Sequence, residues 1–410
     1  VCPFQYIKSD VTEYDNEPPF HPPQNFPEYQ FENLGSNDVY TIFRQLLHSC
    51  GLDDVNYDTP EWNPLGSWVK QGYNVLIKPN LVIDSEWLKP NQLAATIVHG
   101  SFLRPLVDYC LIALGGKGQI TIADGPVDIA NFDNIVKETG ISDIVNWYRQ
   151  NGHPVQLFDM RPERLQRVIK LPLGKISVSL MKRKALSGDP KGYGWVKLDS
   201  DSSFQGLSNS SLKRLRSIQQ IRPRKGPSKI NSDGKHMYPI ARTTLQADCL
   251  ISVAKLKSHK KIGVTLGLKN MVGVILPRFW LAHYREGAPP EGDENAPSLS
   301  LQSKLLSKIH EKMAISGYMK VLFSTNEVVS GRRGSWSGND TLWRVALDLL
   351  KCVLFSNKLG KIMKNQQRQY LSIVDGIVSG EFDGPLNPTP KPTGIIVLGS
   401  NPLAVDTYCR

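Results

Sequence analysis

The chain has 410 residues, 40% of them hydrophobic and 21% charged, so it carries apolar material for substantial cores and is not a disordered polymer. At about 100–200 residues per domain, the length predicts two or three folding units or one large α/β unit with insertions. Lysine and arginine number 49 against 38 aspartates and glutamates, a formal charge of +11, which favours anionic ligands but does not choose among nucleotide, phosphorylated sugar, nucleic acid and membrane surface.

Residues 1–35 are rich in proline, aromatics and acids, as in Glu17-Pro18-Pro19-Phe20-His21-Pro22-Pro23, and show no period that sustains a helix or a strand. Segment 1–37 therefore reads as an extended arm laid over the body. Val39 to Leu47 has helical spacing. Tyr73 to Leu81 reads as a short strand stopped by Lys78-Pro79-Asn80, because proline removes a ladder donor and restricts its predecessor. Residues 93–114 carry an amphipathic helix pattern that ends at Gly115-Gly116, and Gln119 to Ala123 is the next strand, turned by Asp124-Gly125-Pro126. Strand, helix, strand, turn is a βαβ unit and predicts a parallel sheet with its ligand site at the strand C-termini.

A helix pattern covers Phe132 to Tyr148, and Val155 to Phe158 and Val168 to Leu171 read as strands. The character then changes. Residues 182–261 hold 18 lysines and arginines against five acids, so the positive surplus is regional. Within it, the Ser-, Gly- and Lys-rich stretch 200–235 reads as an insertion or mobile loop. Leu250 to Ala254 restores a strand, residues 285–298 form a polar loop, and Ile373 to Asp375 and Gly394 to Gly399 supply two more strands. The predicted fold is α/β: a mostly parallel sheet with helices on both faces, plus a basic insertion and an extended N-terminal arm. Its segments are the arm 1–37, a first α/β lobe 38–181, the basic insertion 182–247, and a second α/β lobe 248–410 that shares one site with the first.

The densest chemistry is Lys255-Leu-Lys-Ser-His259, followed by Thr265, Lys269 and Asn270. If the strand persists, Lys255, Lys257 and His259 alternate onto one side and repel one another unless an anion lies between them. Together with Lys78 and Asn80 they predict a Lys/His/Asn-lined cleft for a small anionic substrate or a nucleotide-like cofactor. His259 and Lys257 are the candidate catalytic groups, with Glu381 as proton acceptor, and Lys78, Asn80, Lys255, Thr265, Lys269 and Asn270 are the anion-binding set. Asp124, Asp375 and Asp406 sit in turns at predicted strand ends and are candidate ligands for a divalent metal. Ordinary readings stand beside these: a solvated basic loop for the lysines, and turn chemistry for the Asp-Gly pairs. His99 and His283 are single histidines of either structural or acid/base use. No HExxH, GxSxG, P-loop or GxGxxG pattern occurs.

The six cysteines are dispersed without a CxxC, which excludes a zinc ribbon or ferredoxin-type cluster within this sequence and points to thiols in a reducing compartment. With no apolar run of membrane-spanning length and no basic-then-apolar N-terminus, a cytoplasmic protein is expected.

Val75-Leu-Ile-Lys-Pro-Asn-Leu, Ile122-Ala-Asp-Gly-Pro, Asp248 to His259, Gly267-Leu-Lys-Asn-Met-Val-Gly, Ile373-Val-Asp-Gly-Ile with Glu381, and Asn401-Pro-Leu-Ala-Val-Asp406 occur in the order seen in the domain-of-unknown-function 362 family, which the chain resembles over residues 73–410. Many members carry a ferredoxin-like cluster segment, but this chain lacks the cysteines, so no iron–sulfur cluster is expected. The family is remotely similar to the N-terminal region of lactate racemase, which works with a nickel-pincer nucleotide held by lysine and histidine. That similarity would give such parts to Lys257 and His259. The expected function is an enzyme of isomerase or oxidoreductase type, with group transfer as a further option. The alternative is a binding module in which 182–261 holds nucleic acid or an acidic membrane surface, with Tyr193, Trp195 and Phe204 as stacking faces.

Overall fold

The computed structural model describes residues 4–173, 176–218, 226–297, 319–324 and 333–410. Val75-Leu76-Ile77 and Cys249-Leu250-Ile251 are buried without alternation. That is the pattern of strands covered on both faces, and they form the centre of an eight-stranded, mostly parallel sheet. Numbered along the chain, its strands are β1 (Gln5–Lys8), β2 (Asn74–Pro79), β3 (Gln119–Asp124), β4 (Val155–Asp159), β5 (Cys249–His259), β6 (Gly263–Thr265), β7 (Gln369–Glu381) and β8 (Thr389–Gly399). The spatial order is β1-β8-β7-β5-β2-β3-β4, with β6 folded back on β5. β4, β3, β2, β5 and β7 run parallel, while β8 is antiparallel to β7 and β1 antiparallel to β8. The α/β expectation holds, and strands from both predicted lobes share this sheet.

Alternate side chains feed two cores. Val75, Ile77, Ile120, Ile122, Ile251 and Val253 pack with helices α1 (Asp38–Ser49), α2 (Gly100–Leu114), α3 (Phe132–Glu138) and α4 (Ile141–Gln150). Leu76, Ala123 and Leu250 point the other way, into a core that includes Val345, Leu349 and Val353 of α5 (Leu342–Phe355). Helices on both faces follow from this alternation.

Chain connections leave β2 toward β3 on one side and β5 toward β7 on the other. The pair β2/β5 is therefore the topological switch point, where parallel α/β sheets open a crevice at the strand C-termini. β5 outruns β2: their pairing ends at Val253 opposite Pro79, whereas β5 continues beside β7 and β6 to His259.

Several local expectations are corrected. The pattern 93–114 is not one helix. Leu93–Thr96 forms a single turn, Ile97 is extended, and α2 starts at Gly100. The restart is fixed by the His99 Nδ1, which accepts from the Ser101 N–H at 3.3 Å, and by Gly100, whose N–H donates to the Thr139 carbonyl at 2.9 Å. The pattern 132–148 likewise splits at Gly140, which has φ +68° and faces the ring of Phe20.

Val168 to Leu171 belongs to Glu163–Leu173, a strand of a separate three-stranded antiparallel sheet. The stretch 200–235 packs Phe204, Leu212 and Leu215 into the second core and contains helices Asn209–Lys213 and Gly226–Asn231; its residues 219–225 lie outside the described residues. Much of the expected polar loop 285–298 is described, with Asp293 buried beneath Thr341.

The arm is less irregular than its composition suggests. Gln5–Lys8 forms β1 because the edge of β8 supplies the ladder partners, and Phe20, Phe26 and Phe31 are buried in the first core. Among the described residues no helix is long and apolar enough to cross a membrane.

Phe20 is 1% exposed, and its ring fills the space left by the missing Cβ atoms of Gly100 and Gly140. Phe20→Ala should therefore cost about 3–5 kcal/mol in denaturant unfolding. A loss under about 1 kcal/mol would show that the arm is not part of the folded core.

Candidate functional site

The switch point gathers the C-terminal ends of β2, β3, β5 and β7. Lys78, on the last turn of pleat of β2, is 1% exposed, and its Nζ lies 2.7 Å from Asp124 Oδ1 at the end of β3. The same ammonium donates to Asn270 Oδ1 at 2.9 Å and to its neighbour, the Pro79 carbonyl, at 3.3 Å. Asn270 in turn donates from Nδ2 to the Lys78 carbonyl and to Ser252 Oγ, both at 3.0 Å, and so pins β2 to β5. Asp124 is saturated: Oδ2 accepts from the Leu81 N–H at 2.9 Å, and Oδ1 accepts from the Gly125 N–H at 2.8 Å. A Cβ on Gly273 would fall 2.2 Å from Asp124 Oδ1 and 2.8 Å from Lys78 Nζ, so the pair is closed over by backbone. Burial pulls the Lys78 ammonium below its ordinary pKa, with Asp124 opposing the shift.

A second pair lies one strand over. Lys255 Nζ is 3.1 Å from Asp375 Oδ2, both groups being fully buried. Tyr14 of the arm donates to Asp375 Oδ1 at 2.6 Å and also bonds Lys255 Nζ. Its ring stacks on His99 at 4.7 Å. Burial, and then the Lys255 charge, pushes His99 down to about 3, so this imidazole is neutral.

Between these two pairs stands Lys257, 2% exposed. Its Nζ donates to the Thr96 carbonyl at 2.5 Å, close to the break that separates the turn at residues 93–96 from α2. Among the described residues no carboxylate pairs with it. Burial is the main reason its pKa falls well below the usual lysine range, and the charges of Lys269 and Lys255 lower it further. His259, two residues on, is depressed by burial and by Lys269, Lys261, Lys257 and His283. Lys269 retains partial solvent contact and makes no hydrogen bond or ion pair among the described residues. Burial, with Arg278, Lys78 and Lys261 nearby, brings it down to about 7. Lys261 also falls to about 7, through burial, and its ammonium donates to the Arg333 carbonyl. Arg278 donates to the Gly125 carbonyl at 2.7 Å, and His283 is shifted down by burial and then by Lys261, Arg278 and Lys269.

Two polar atoms here lack hydrogen-bond partners while buried: Asn80 Oδ1 and Thr265 Oγ1. Thr265 sits opposite Lys257 in the β5–β6 ladder, and the Asn80 carbonyl accepts from the Val98 N–H at 3.1 Å, close to Thr96. Lys257, Lys261, Lys269, His259, Thr265 and Asn80 thus form a largely buried cationic cluster with unused hydrogen-bonding capacity. Such a group of residues can hold the oxygens of a carboxylate or phosphate.

The anion-binding set read from the sequence therefore divides. Lys257 and Lys269 lack a counter-charge and Thr265 and Asn80 keep an unpartnered polar atom among the described residues, whereas Lys78, Lys255 and Asn270 are committed to internal partners and position the others. The candidate metal ligands are not brought together. Asp124 and Asp375 each neutralise a lysine, and Asp406 accepts from the Gly267 and Leu268 N–H groups at 2.8 and 2.9 Å, holding the turn that carries Lys269 and Asn270. Burial raises Asp406 to about 6 against those two hydrogen bonds. Among the described residues no group of three or more His, Cys, Asp or Glu is disposed to hold a metal ion. Glu381 lies at the end of β7 and pairs with Lys391 at 2.9 Å, partly exposed and outside the cluster.

In the basic stretch 182–261, Lys197, Arg214 and Arg216 pair with Asp199, Glu291 and Glu286. Its aromatics do not form one stacking surface: Phe204 is fully buried, the Tyr193 hydroxyl donates to the Met160 carbonyl at 2.8 Å, and Trp195 is 46% exposed beside Trp280.

Tyr14, Thr96 and Arg278 were not among the residues singled out by sequence. The first two act through a hydroxyl and a main-chain carbonyl from regions with no chemical motif, and only the proline-free break at Ile97–Gly100 hints at the second.

No curated protein matches the chain. Among solved structures, a protein from Thermotoga maritima matches at 11% sequence identity with a TM-score of 0.33, over 93% of this chain and 59% of that one, so the chain spans less than two thirds of that protein's length. A family model described as a domain of unknown function, DUF362, matches residues 75–186 and 222–410; these include strands β3 to β8, nearly all of β2 and every lysine of the crevice, and the chain belongs to that family.

Proposed function

We propose that the protein is an enzyme that binds a small anion, a carboxylate or a phosphate either free or as part of a nucleotide-like molecule, in the crevice between the ends of β2 and β5. The observation that carries this reading is the imbalance of buried charge. Lys78 and Lys255 have carboxylate partners, while Lys257 and Lys269 have none among the described residues. Burying an ammonium without a counter-charge is costly, so such groups either lose their protons or gain an anion. Lys269 and Lys261 would supply charge, Asn80 and Thr265 hydrogen bonds, and His259 a neutral imidazole able to pass a proton. The carboxylates left over are the wrong set for a competing internal salt bridge, because Asp124, Asp375 and Asp406 are already engaged.

Calorimetric titration with inorganic phosphate and with oxalate tests the site directly. Because Lys261 and Lys269 titrate near 7 in the free protein, a bound anion raises their affinity for protons. Binding above pH 7 should then take up protons, give heats that depend on buffer ionisation, and weaken as pH rises from 7 to 9. Lys269→Met should weaken it by about tenfold or more. Heats that do not respond to pH or to this substitution would remove the site.

The same groups set a pH dependence of stability in the absence of ligand. Their folded pKa values lie below the lysine reference, so between about pH 7 and 10.5 the unfolded chain holds more protons, and stability from these groups rises with pH across that window. Below it both states are protonated and the penalty is constant. Lys269→Met should therefore raise the melting temperature by a few degrees at pH 7, with the gain shrinking toward pH 10. A difference independent of pH would mean that Lys269 is not desolvated.

A further inference from the structure

The anion-binding reading leaves Lys257 with no assigned task, because a cation is not the role its surroundings favour. Lys78 and Lys255 are paired with Asp124 and Asp375, and the charges of Lys269 and Lys255 disfavour a further ammonium at Lys257. Among the described residues the hydrogen-bond partner of Lys257 Nζ is a neutral acceptor, the Thr96 carbonyl at 2.5 Å. A neutral amine satisfies that carbonyl with one N–H and keeps a lone pair for chemistry. The stem of Lys257 is packed against Gly380, where a Cβ would come 3.0 Å from the Lys257 Cβ and 2.7 Å from the Ala95 carbonyl oxygen, so the side chain is held in place beside the turn that carries Thr96.

Resting on the proposed anion site, we infer that Lys257 is a nucleophile that forms an imine with a small aldehyde or ketone carrying a carboxylate or phosphate, whose anionic group is held by Lys269 and Lys261. The amine lone pair attacks the carbonyl carbon as the C=O π pair moves to oxygen, which takes up a proton to give the carbinolamine. Nitrogen then loses a proton, the hydroxyl leaves as water, and the C=N bond forms, with one water released and no redox change. Two groups are placed to serve these transfers. Thr265, across the ladder from Lys257, has a buried hydroxyl without a partner. His259 accepts the Lys261 N–H at Nδ1, at 3.1 Å, so its neutral ring carries hydrogen on Nε2 and can donate it to the departing hydroxyl. Lysines desolvated beside other cations are activated for this chemistry, and burial together with Lys269 and Lys255 lowers the Lys257 pKa in that sense.

The test is reductive trapping of the intact protein with sodium cyanoborohydride and either pyruvate or dihydroxyacetone phosphate, followed by peptide mapping. One arm presents a carboxylate and the other a phosphate, so the preferred arm identifies the anionic group. The expected result is an adduct at Lys257 at least about tenfold above that at exposed lysines such as Lys197 and Lys358. Its rate should fall less steeply from pH 9 to 7 than that of ordinary lysines, which lose about tenfold per pH unit. Inorganic phosphate should suppress it, and Lys257→Arg should abolish it. Mapping on the unsubstituted protein stands even if that variant fails to fold. Phosphate binding without an adduct at Lys257, or with adducts spread over surface lysines, overturns the inference and leaves the anion site standing. An adduct at Lys257 that phosphate neither binds nor suppresses overturns the anion site and, with it, the assigned substrate class.

Discussion

The salt bridge between Lys78 and Asp124 is the contact on which the arrangement at the sheet edge depends. It joins the ends of β2 and β3, and through Asn270 it also joins β2 to β5, so three strand ends are locked by one buried ammonium and one amide. A charge pair enclosed in this way repays little in net stability relative to an apolar filling, but removing either partner would leave its mate buried and unpaired. The consequence is positional accuracy at the place where the topology opens a crevice. Lys255, Asp375 and Tyr14 repeat the device on the β5–β7 side. Between two closed pairs, the backbone has few ways to relax, and Lys257 is held where neither carboxylate can reach it.

The N-terminal arm and the helix breaks belong to the same scheme. Tyr14 lies 361 residues from Asp375 in sequence and reaches it because β1 docks on β8 and Phe20 seats itself against Gly100 and Gly140. The interruption between Thr96 and Gly100 is not a defect in an amphipathic pattern. It brings a helix-turn carbonyl to Lys257 and sets His99 beneath Tyr14. Irregular backbone here supplies polar atoms that a regular helix would have consumed in its own ladder.

Much of this was legible in the residues themselves. Continuous apolar runs ending in Lys-Pro-Asn and Lys-Leu-Lys-Ser-His place cations at the ends of parallel strands, and period-two alternation puts Lys255, Lys257 and His259 on one side. What could not be read was the pairing. Lys255 meets its carboxylate 120 residues away, and nothing in local sequence separates a lysine that will be neutralised from one that will not. Carboxylates at strand ends look like metal ligands in sequence for the same reason: their positions follow from the chain, their partners only from the register of β2, β3, β5 and β7. The sequence pattern overstates helix continuity because hydrophobic period outlasts the helix wherever extended residues remain buried, as at Ile97 and Val98.

The unequal lengths of β2 and β5 divide the region into parts that answer to different demands. Up to Lys255 the cations are embedded in the sheet, and any change there disturbs the folded frame. Beyond it, Lys257, His259 and Thr265 ride on an overhang that β5 forms with β6 and the end of β7, which the strands on the β2 side do not pair with. Lengthening, shortening or retwisting that ribbon would respace the imidazole and ammonium groups while leaving the anchoring bridges alone. On the proposed anion-binding reading, selectivity for guests of different size could thus change without a matching change in the scaffold.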